Sequence, residues 1–251
     1  MKNILLAVSL LTTLLFSNSN RNSNRNAIET SGQMLVVTTK KWDSPNGILQ
    51  KYEKRNRHWE KIDAPIEIKL GRNGLGWGIG LHTIPKNAKF IKKEGDGKAP
   101  AGIFELKQAF GYQPLVGNYP YEVYQATHHC VDDVDSKLYN KIIDSKKVKK
   151  EYQSFEHMKF DKNYYKYGVV VNHNHIDESG AKKGSGSCIF IHIKSIPTAG
   201  CTVVKSENQM KELIEWLDPE QYPLLVQGTV ETVQLLLKKN HITTPRMLTE
   251  K

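Results

Sequence analysis

From residue 34 onward the chain is a succession of short β-branched or alternating runs, each ended by turn-forming residues, and helical periodicity is confined to its C-terminal part. Such a pattern leaves few helices on which to bury apolar surface, so sheets have to close on one another or on themselves. Met34 to Thr39 reads as a first strand, Ser44-Pro45-Asn46-Gly47 as a turn, and Ile48 to Glu53 as a second strand. Ile66-Glu67-Ile68-Lys69-Leu70 alternates apolar and charged residues, the signature of a half-buried antiparallel edge. The turn-formers of Lys93 to Gly97 precede an apolar strand that includes Ile103 to Leu106, whereas Tyr112 to Ser154 shows no sustained period and reads as irregular. Tyr167 to Asn172, Ile189 to Ile193 and Cys201 to Val204 are buried-type strands. Met210, Leu213, Ile214 and Leu217 then share a helical face, with Ser206 and Gln209 spaced as a capping box. Leu224 to Gln227 fits a closing strand, and Thr232 to Lys239 a final amphipathic helix or a tail. The expected fold is mostly β, a sandwich or barrel with one or two peripheral helices.

The N-terminus has another composition. Met1-Lys2-Asn3 precedes an uncharged, mostly apolar stretch from Ile4 to Phe16 and then Ser17-Asn18-Ser19, the pattern of a secretory signal peptide. Asn, Ser and Arg recur from Asn18 to Ala27, too polar to offset the entropy of ordering. The expected organisation is a signal peptide over 1–19, a disordered linker over 20–33, one folded domain over 34–228, and a terminal helix or tail over 229–251. The apolar stretch falls short of the ~20 residues of a membrane span, so no stable membrane insertion is expected after signal cleavage, and the site of action is the periplasm or cell envelope. The net charge of +10 is spread over Lys-rich loops such as Lys146 to Lys150 rather than along one stripe with interleaved aromatics. Nucleic acid is therefore not expected as a partner. A basic surface suits residence near an anionic envelope polymer, and equally serves as a solvated face that keeps the protein in solution. The glycine-dense segment Gly71 to Gly80 lacks the following helix and the acidic residue of a dinucleotide fold, so it is not read as a dinucleotide site; no cofactor is expected.

Three cysteines in an exported chain make an odd count. The economical arrangement pairs Cys130 with Cys188 and leaves Cys201 free, although spacing alone does not fix that pairing. The apolar run Ile189 to Ile193 carries His192, and Lys194-Ser195-Ile196-Pro197-Thr198-Ala199-Gly200 leads to Cys201. A thiol nucleophile needs an imidazole or a positive potential to hold its thiolate, and His192 is the candidate base. The small residues Thr198-Ala199-Gly200 can turn sharply and leave the amides of Gly200 and Cys201 facing an oxyanion. His173, in Val171-Asn172-His173-Asn174-His175, is a second histidine that either borders the cleft or forms structural hydrogen bonds. Asp132, Asp133 and Asp135 lack an accompanying metal-ligand set and read as a solvated turn or helix cap; no metal is expected.

With the export signal, Lys98-Ala99-Pro100-Ala101-Gly102-Ile103-Phe104, and His192 followed by Thr198-Ala199-Gly200-Cys201, the chain resembles the YkuD-type L,D-transpeptidases of bacterial cell walls over about Met34 to Gln227. The segments Cys130 to Asp133 and Gly184 to His192 point to one branch of that family. The resemblance implies a β-rich catalytic domain over 34–228 that acts on peptidoglycan stem peptides, with Cys201 as nucleophile, His192 as base, and the amides around Gly200 and Cys201 as oxyanion donors. Thr198 and Ser195 would orient His192, line the pocket, or only satisfy the loop backbone. Ala199 stands where many members carry His, and Thr202-Val203-Val204 lacks their Arg or Asn, so another base, Lys194 or Arg72, has to meet the substrate carboxylate. The thioester of a stem tetrapeptide would pass to an amine, as in a transpeptidase, or to water, as in an L,D-carboxypeptidase. A non-catalytic wall-binding module is the third possibility. A papain-like protease is disfavoured because its histidine lies downstream of the cysteine, not upstream.

Overall fold

The computed structural model describes residues 27–175 and 180–242; the expected signal peptide and the end of the tail lie outside them. Among the described residues the sheets are built from thirteen strands: β1 (Gln33–Thr39), β2 (Asn46–Arg55), β3 (His58–Lys69), β4 (Leu75–Trp77), β5 (Ala99–Gly111), β6 (Tyr121–Val123), β7 (His128–Val131), β8 (Ile142–Asp144), β9 (Phe155–His157), β10 (Tyr167–Val171), β11 (Phe190–Ile193), β12 (Thr202–Val204) and β13 (Leu224–Thr229). Two ten-residue helices among the described residues, α1 (Glu207–Trp216) and α2 (Val230–Lys239), pack against them. The main sheet runs β10-β11-β12-β3-β2-β1-β13-β5, and β10 pairs with β5 as well, so the order returns on itself and the sheet closes as a barrel. β4 and β6 extend β5, and β8-β7-β9 form a separate antiparallel sheet. Closure removes the exposed edges that an open sheet would present.

β1 shows why the fold reads as continuous apolar runs. Leu35 and Val37 enter one core cluster with Leu49, Phe104, Ile191 and Leu225, while Met34 and Val36 enter another with Tyr52, Val226, Val233 and Leu237 from α2. Both faces of the strand are covered. Helix α1 forms where the capping box predicts, with the Ser206 hydroxyl and the Gln209 side chain capping each other's backbone. It packs Met210, Leu213 and Ile214 on the first cluster.

Several expectations change. Ile66 to Leu70 does not form an edge: β3 pairs with β2 on one side and, through Val203 opposite Lys69, with β12 on the other. The folded part begins ahead of Met34, because residues 27–30 are helical and Ile28, 2% exposed, joins the α2 cluster. Of the two alternatives for the end of the chain, residues 230–239 take the helical one, with Thr232, Val233, Leu236 and Leu237 buried. The stretch read as irregular holds β6, β7 and β8.

Candidate active site

β11 places the chemistry by its period of two. Ile191 and Ile193 point into the barrel core, while Phe190 and His192 point to the opposite face. Gly168 of β10 lies opposite His192, and a Cβ there would come within 2.3 Å of the Phe110 ring. The packing of aromatic side chains behind the histidine thus requires glycine at that position. β11 and β12 run parallel with His192 opposite Val203, so the intervening loop must cross back and deliver Cys201 just before β12.

Thr198 shapes that loop. Its N–H donates to the Leu70 carbonyl at 2.9 Å and its carbonyl accepts from the Arg72 N–H at 2.8 Å. Its hydroxyl donates to the Cys201 carbonyl at 2.6 Å and accepts the Gly200 N–H at 3.1 Å. The corner is closed from within. The Gly200 amide is therefore spent and does not supply an oxyanion donor, contrary to the expectation, whereas the Cys201 N–H has no partner among the described residues.

Cys201, 6% exposed, is a free thiol, while Cys130 and Cys188 form a disulfide. Its sulfur accepts the Phe190 N–H at 3.3 Å and faces the Cys188 carbonyl at 3.5 Å. His192, 4% exposed, directs Nδ1 at the carbonyls of Tyr164 and Ile193, 3.2 and 3.3 Å away. Nδ1 is thereby the protonated nitrogen and Nε2 the free base. Tyr165 packs its ring edge-on against the imidazole, 4.8 Å between centroids, and its hydroxyl donates to Glu156 at 2.6 Å. Burial pushes the His192 pKa down to about 4. Burial, and then the Glu156 charge, push the Cys201 thiol well above its ordinary value. The resting pair is thus neutral thiol and neutral imidazole, not the thiolate expected from the sequence, because both groups have left water. Burial likewise raises the Glu156 carboxyl.

Cys201, His192, Gly200, Thr198 and Lys194 line one cavity of about 600 Å³, a size suited to a short peptide. Its other wall comes from β9 and its surroundings, with Glu156, His157 and Asp132, and from the 92–95 segment, with Lys92 and Glu94. Lys194 holds its ammonium 5.0 Å from the Tyr164 ring centre. The cavity does not include the remaining expected residues. Ser195 is exposed outside it. Arg72 is exposed too and serves the site through its backbone alone. His173, 1% exposed, accepts the Ile79 N–H and meets the Ser185 carbonyl with its other nitrogen, which makes it a strut of the wall and not a cleft residue.

No family model and no curated protein matches the chain. Among solved structures, the helical cell shape determining protein Pgp2 from Campylobacter jejuni is similar at 16% identity with a TM-score of 0.39, covering 79% of this chain and 48% of that one. A point mutant of the same protein is similar at 14% identity with a TM-score of 0.37, over 82% and 53% of the two chains. This chain spans about half the length of those structures.

Lys92, Glu94, Glu156 and Tyr165 escape sequence reasoning because nothing in their local pattern separates them from other charged or aromatic residues. Asp132 had a usable signal: it lies two residues from Cys130, so a Cys130–Cys188 bridge brings it to the strand that carries His192. Asp133 behaves as the turn residue expected, accepting the N–H groups of Asp135 and Gln153. Among the described residues no helix is long and apolar enough to cross a membrane.

Proposed function

We propose that the chain is an exported, cysteine-dependent peptidoglycan acyltransferase of the YkuD L,D-transpeptidase type, acting through a thioester on stem tetrapeptides. One observation carries this reading: the sole unoxidised cysteine of the sequence, a neutral imidazole with Nδ1 fixed, and an unpaired Cys201 N–H converge on one peptide-sized cavity.

The chemistry follows from those groups. The S–H turns from the Cys188 carbonyl to His192 Nε2, which takes its proton as the sulfur bonds to the carbonyl carbon of the L-centre residue. The carbonyl π pair moves to oxygen, where the Cys201 N–H meets it; one such donor is commonly worth about 3 kcal/mol. The C–N bond then breaks, the amine of the terminal D-residue leaves with the proton from His192, and a thioester remains. An incoming amine attacks the thioester, loses its proton to His192, and releases the sulfur, which recovers the proton. Water in place of the amine gives a tripeptide instead.

Purified protein incubated with tetrapeptide muropeptides, with and without a free D-amino acid, tests the reading by mass spectrometry of the products. Dimers or exchanged tetrapeptides support transfer, and tripeptide alone assigns the L,D-carboxypeptidase. Unchanged substrate with folded protein would leave only a wall-binding module, in which Cys201→Ala preserves any binding.

A further inference from the structure

Lys92 is a lysine that the proposed chemistry does not use, yet it is 3% exposed and lines the cavity with Cys201. Burying an ammonium is costly unless it is paired and hydrogen-bonded. The chain commits a loop to that task. Asp96 accepts Lys92 Nζ at 2.7 Å and the Lys98 N–H on the same oxygen, and the Lys93 N–H on the other. The Lys93 carbonyl takes a second Lys92 N–H at 2.7 Å. The third N–H has no acceptor among the described residues. The lysine stem runs between two close backbone passages: a Cβ at Gly186 would lie 3.0 Å from Lys92 Cε, and one at Gly200 3.9 Å from it. The ammonium is therefore fixed beside the corner that delivers the nucleophile.

Resting on the acyl-transfer reading, we propose that Lys92, clamped by Asp96 beside the Gly200–Cys201 corner, is a positioning residue whose fixed positive charge favours the Cys201 thiolate at the moment of attack. The other charges around the sulfur come from different elements. Glu156 on β9 opposes the thiolate, Lys194 beyond β11 favours it, Glu94 and Asp132 stand across the cavity, and His192 and Tyr165 are uncharged neighbours. Lys194 is half-exposed at the rim and screened by solvent, whereas Lys92 is enclosed, so its charge, offset in part by Asp96, is less screened by water.

The test is alkylation of Cys201 by iodoacetamide between pH 6 and 10, in the full chain with its disulfide intact, read by mass at the Cys201 peptide. It needs no wall substrate, so it stands apart from the test of the reaction. Lys92→Met keeps the stem and removes the charge. It is expected to slow alkylation at pH 8 about tenfold, moving the pH profile up by roughly one unit, while Lys92→Arg keeps most of the rate and Lys194→Met changes it little. A folded Lys92→Met with an unchanged profile, or a drop carried by Lys194→Met instead, overturns the proposal. Should Lys92→Met not fold, the Lys194→Met protein decides. Its ratio of iodoacetate to iodoacetamide rates is expected to exceed that of a small free thiol, because Lys92 still attracts the anion; an equal or lower ratio overturns the proposal.

Discussion

The cavity has two walls that are held in different ways. One is β11, the 194–201 loop and β12, with strands paired on both sides in the closed barrel. The other centres on β8-β7-β9, a sheet of three short strands outside the ring. The Cys130–Cys188 bridge joins that sheet to the segment leading into β11, and Cys130 stands opposite Glu156 in its register. Asn140 adds a second tie, accepting the Cys188 N–H and donating to the His173 carbonyl. The Cys201 thiol and the His192 imidazole thus sit on the wall fixed by continuous hydrogen bonding, and Glu156 and Asp132 on the wall fixed by a covalent clamp. A sheet of three short strands needs a packed face or a tie to its neighbours to be stable. Chemistry and substrate fit are therefore separable by mutation.

The widest separation comes from the barrel wall. Cys201→Ala is expected to reduce product formation to background while the protein still folds with its disulfide intact. His192→Ala is expected to cost about 10²- to 10⁴-fold in kcat, measured by muropeptide turnover. Next comes the clamped wall. Replacing both Cys130 and Cys188 with Ser is expected to lower stability by about 2–4 kcal/mol, read by urea unfolding, and to raise KM for the tetrapeptide more than it lowers kcat. Equal losses in both parameters would mean that the small sheet also sets the geometry of attack. Thr198→Val, which removes the internal closure of the corner, is expected to cost about 1–2 kcal/mol of stability and a few-fold in kcat. A thermal melt and a turnover assay measure both.

A further effect, spread over both walls and the core, is in pH. Buried His192 and His82 have pKa values lowered to about 4, and His173 to about 3. Above pH 6.5 each is neutral in both folded and unfolded chains, and its contribution is fully present. As pH falls from 6.5 the unfolded chain takes up protons first, so stability declines, and the loss is complete only below the folded values of about 3 to 4. Melting temperature is therefore expected to fall steadily from pH 6.5 to 4. The acid limb of activity is expected near pH 4, where His192 stops being a base. A limb near 6.5 would mean that the imidazole is solvated in the working enzyme.

Much of this was legible in the sequence wherever local pattern and burial agree. Alternation in Phe190-Ile191-His192-Ile193 separates core from cavity, Ser206 and Gln209 announce α1, and the small residues before Cys201 mark the corner. Alternation fails along β3, where Asp63 has φ 58° and the register with β2 shifts between Leu49 and Lys51. It fails again for β7 to β9, strands of three or four residues that are tied to the rest of the fold by a disulfide to a cysteine 58 residues away. The site shows the same division. Cys201 and His192 share a strand and its loop, whereas Lys92, Glu94 and Glu156 reach them only through the tertiary fold. Thr198 could be named from sequence, but its capture of the Gly200 amide depends on the turn it makes.

The central claim is that Cys201 is an acylatable nucleophile on a peptide-binding cavity. The most direct measurement is the intact mass of the full chain after incubation with a carbapenem, followed by mapping of the adduct. The account predicts one adduct, on the peptide that contains Cys201, lost in Cys201→Ala and reduced in His192→Ala, with the Cys130–Cys188 bridge intact. No adduct on folded protein, or labelling at Cys130 or Cys188 alone, would contradict it.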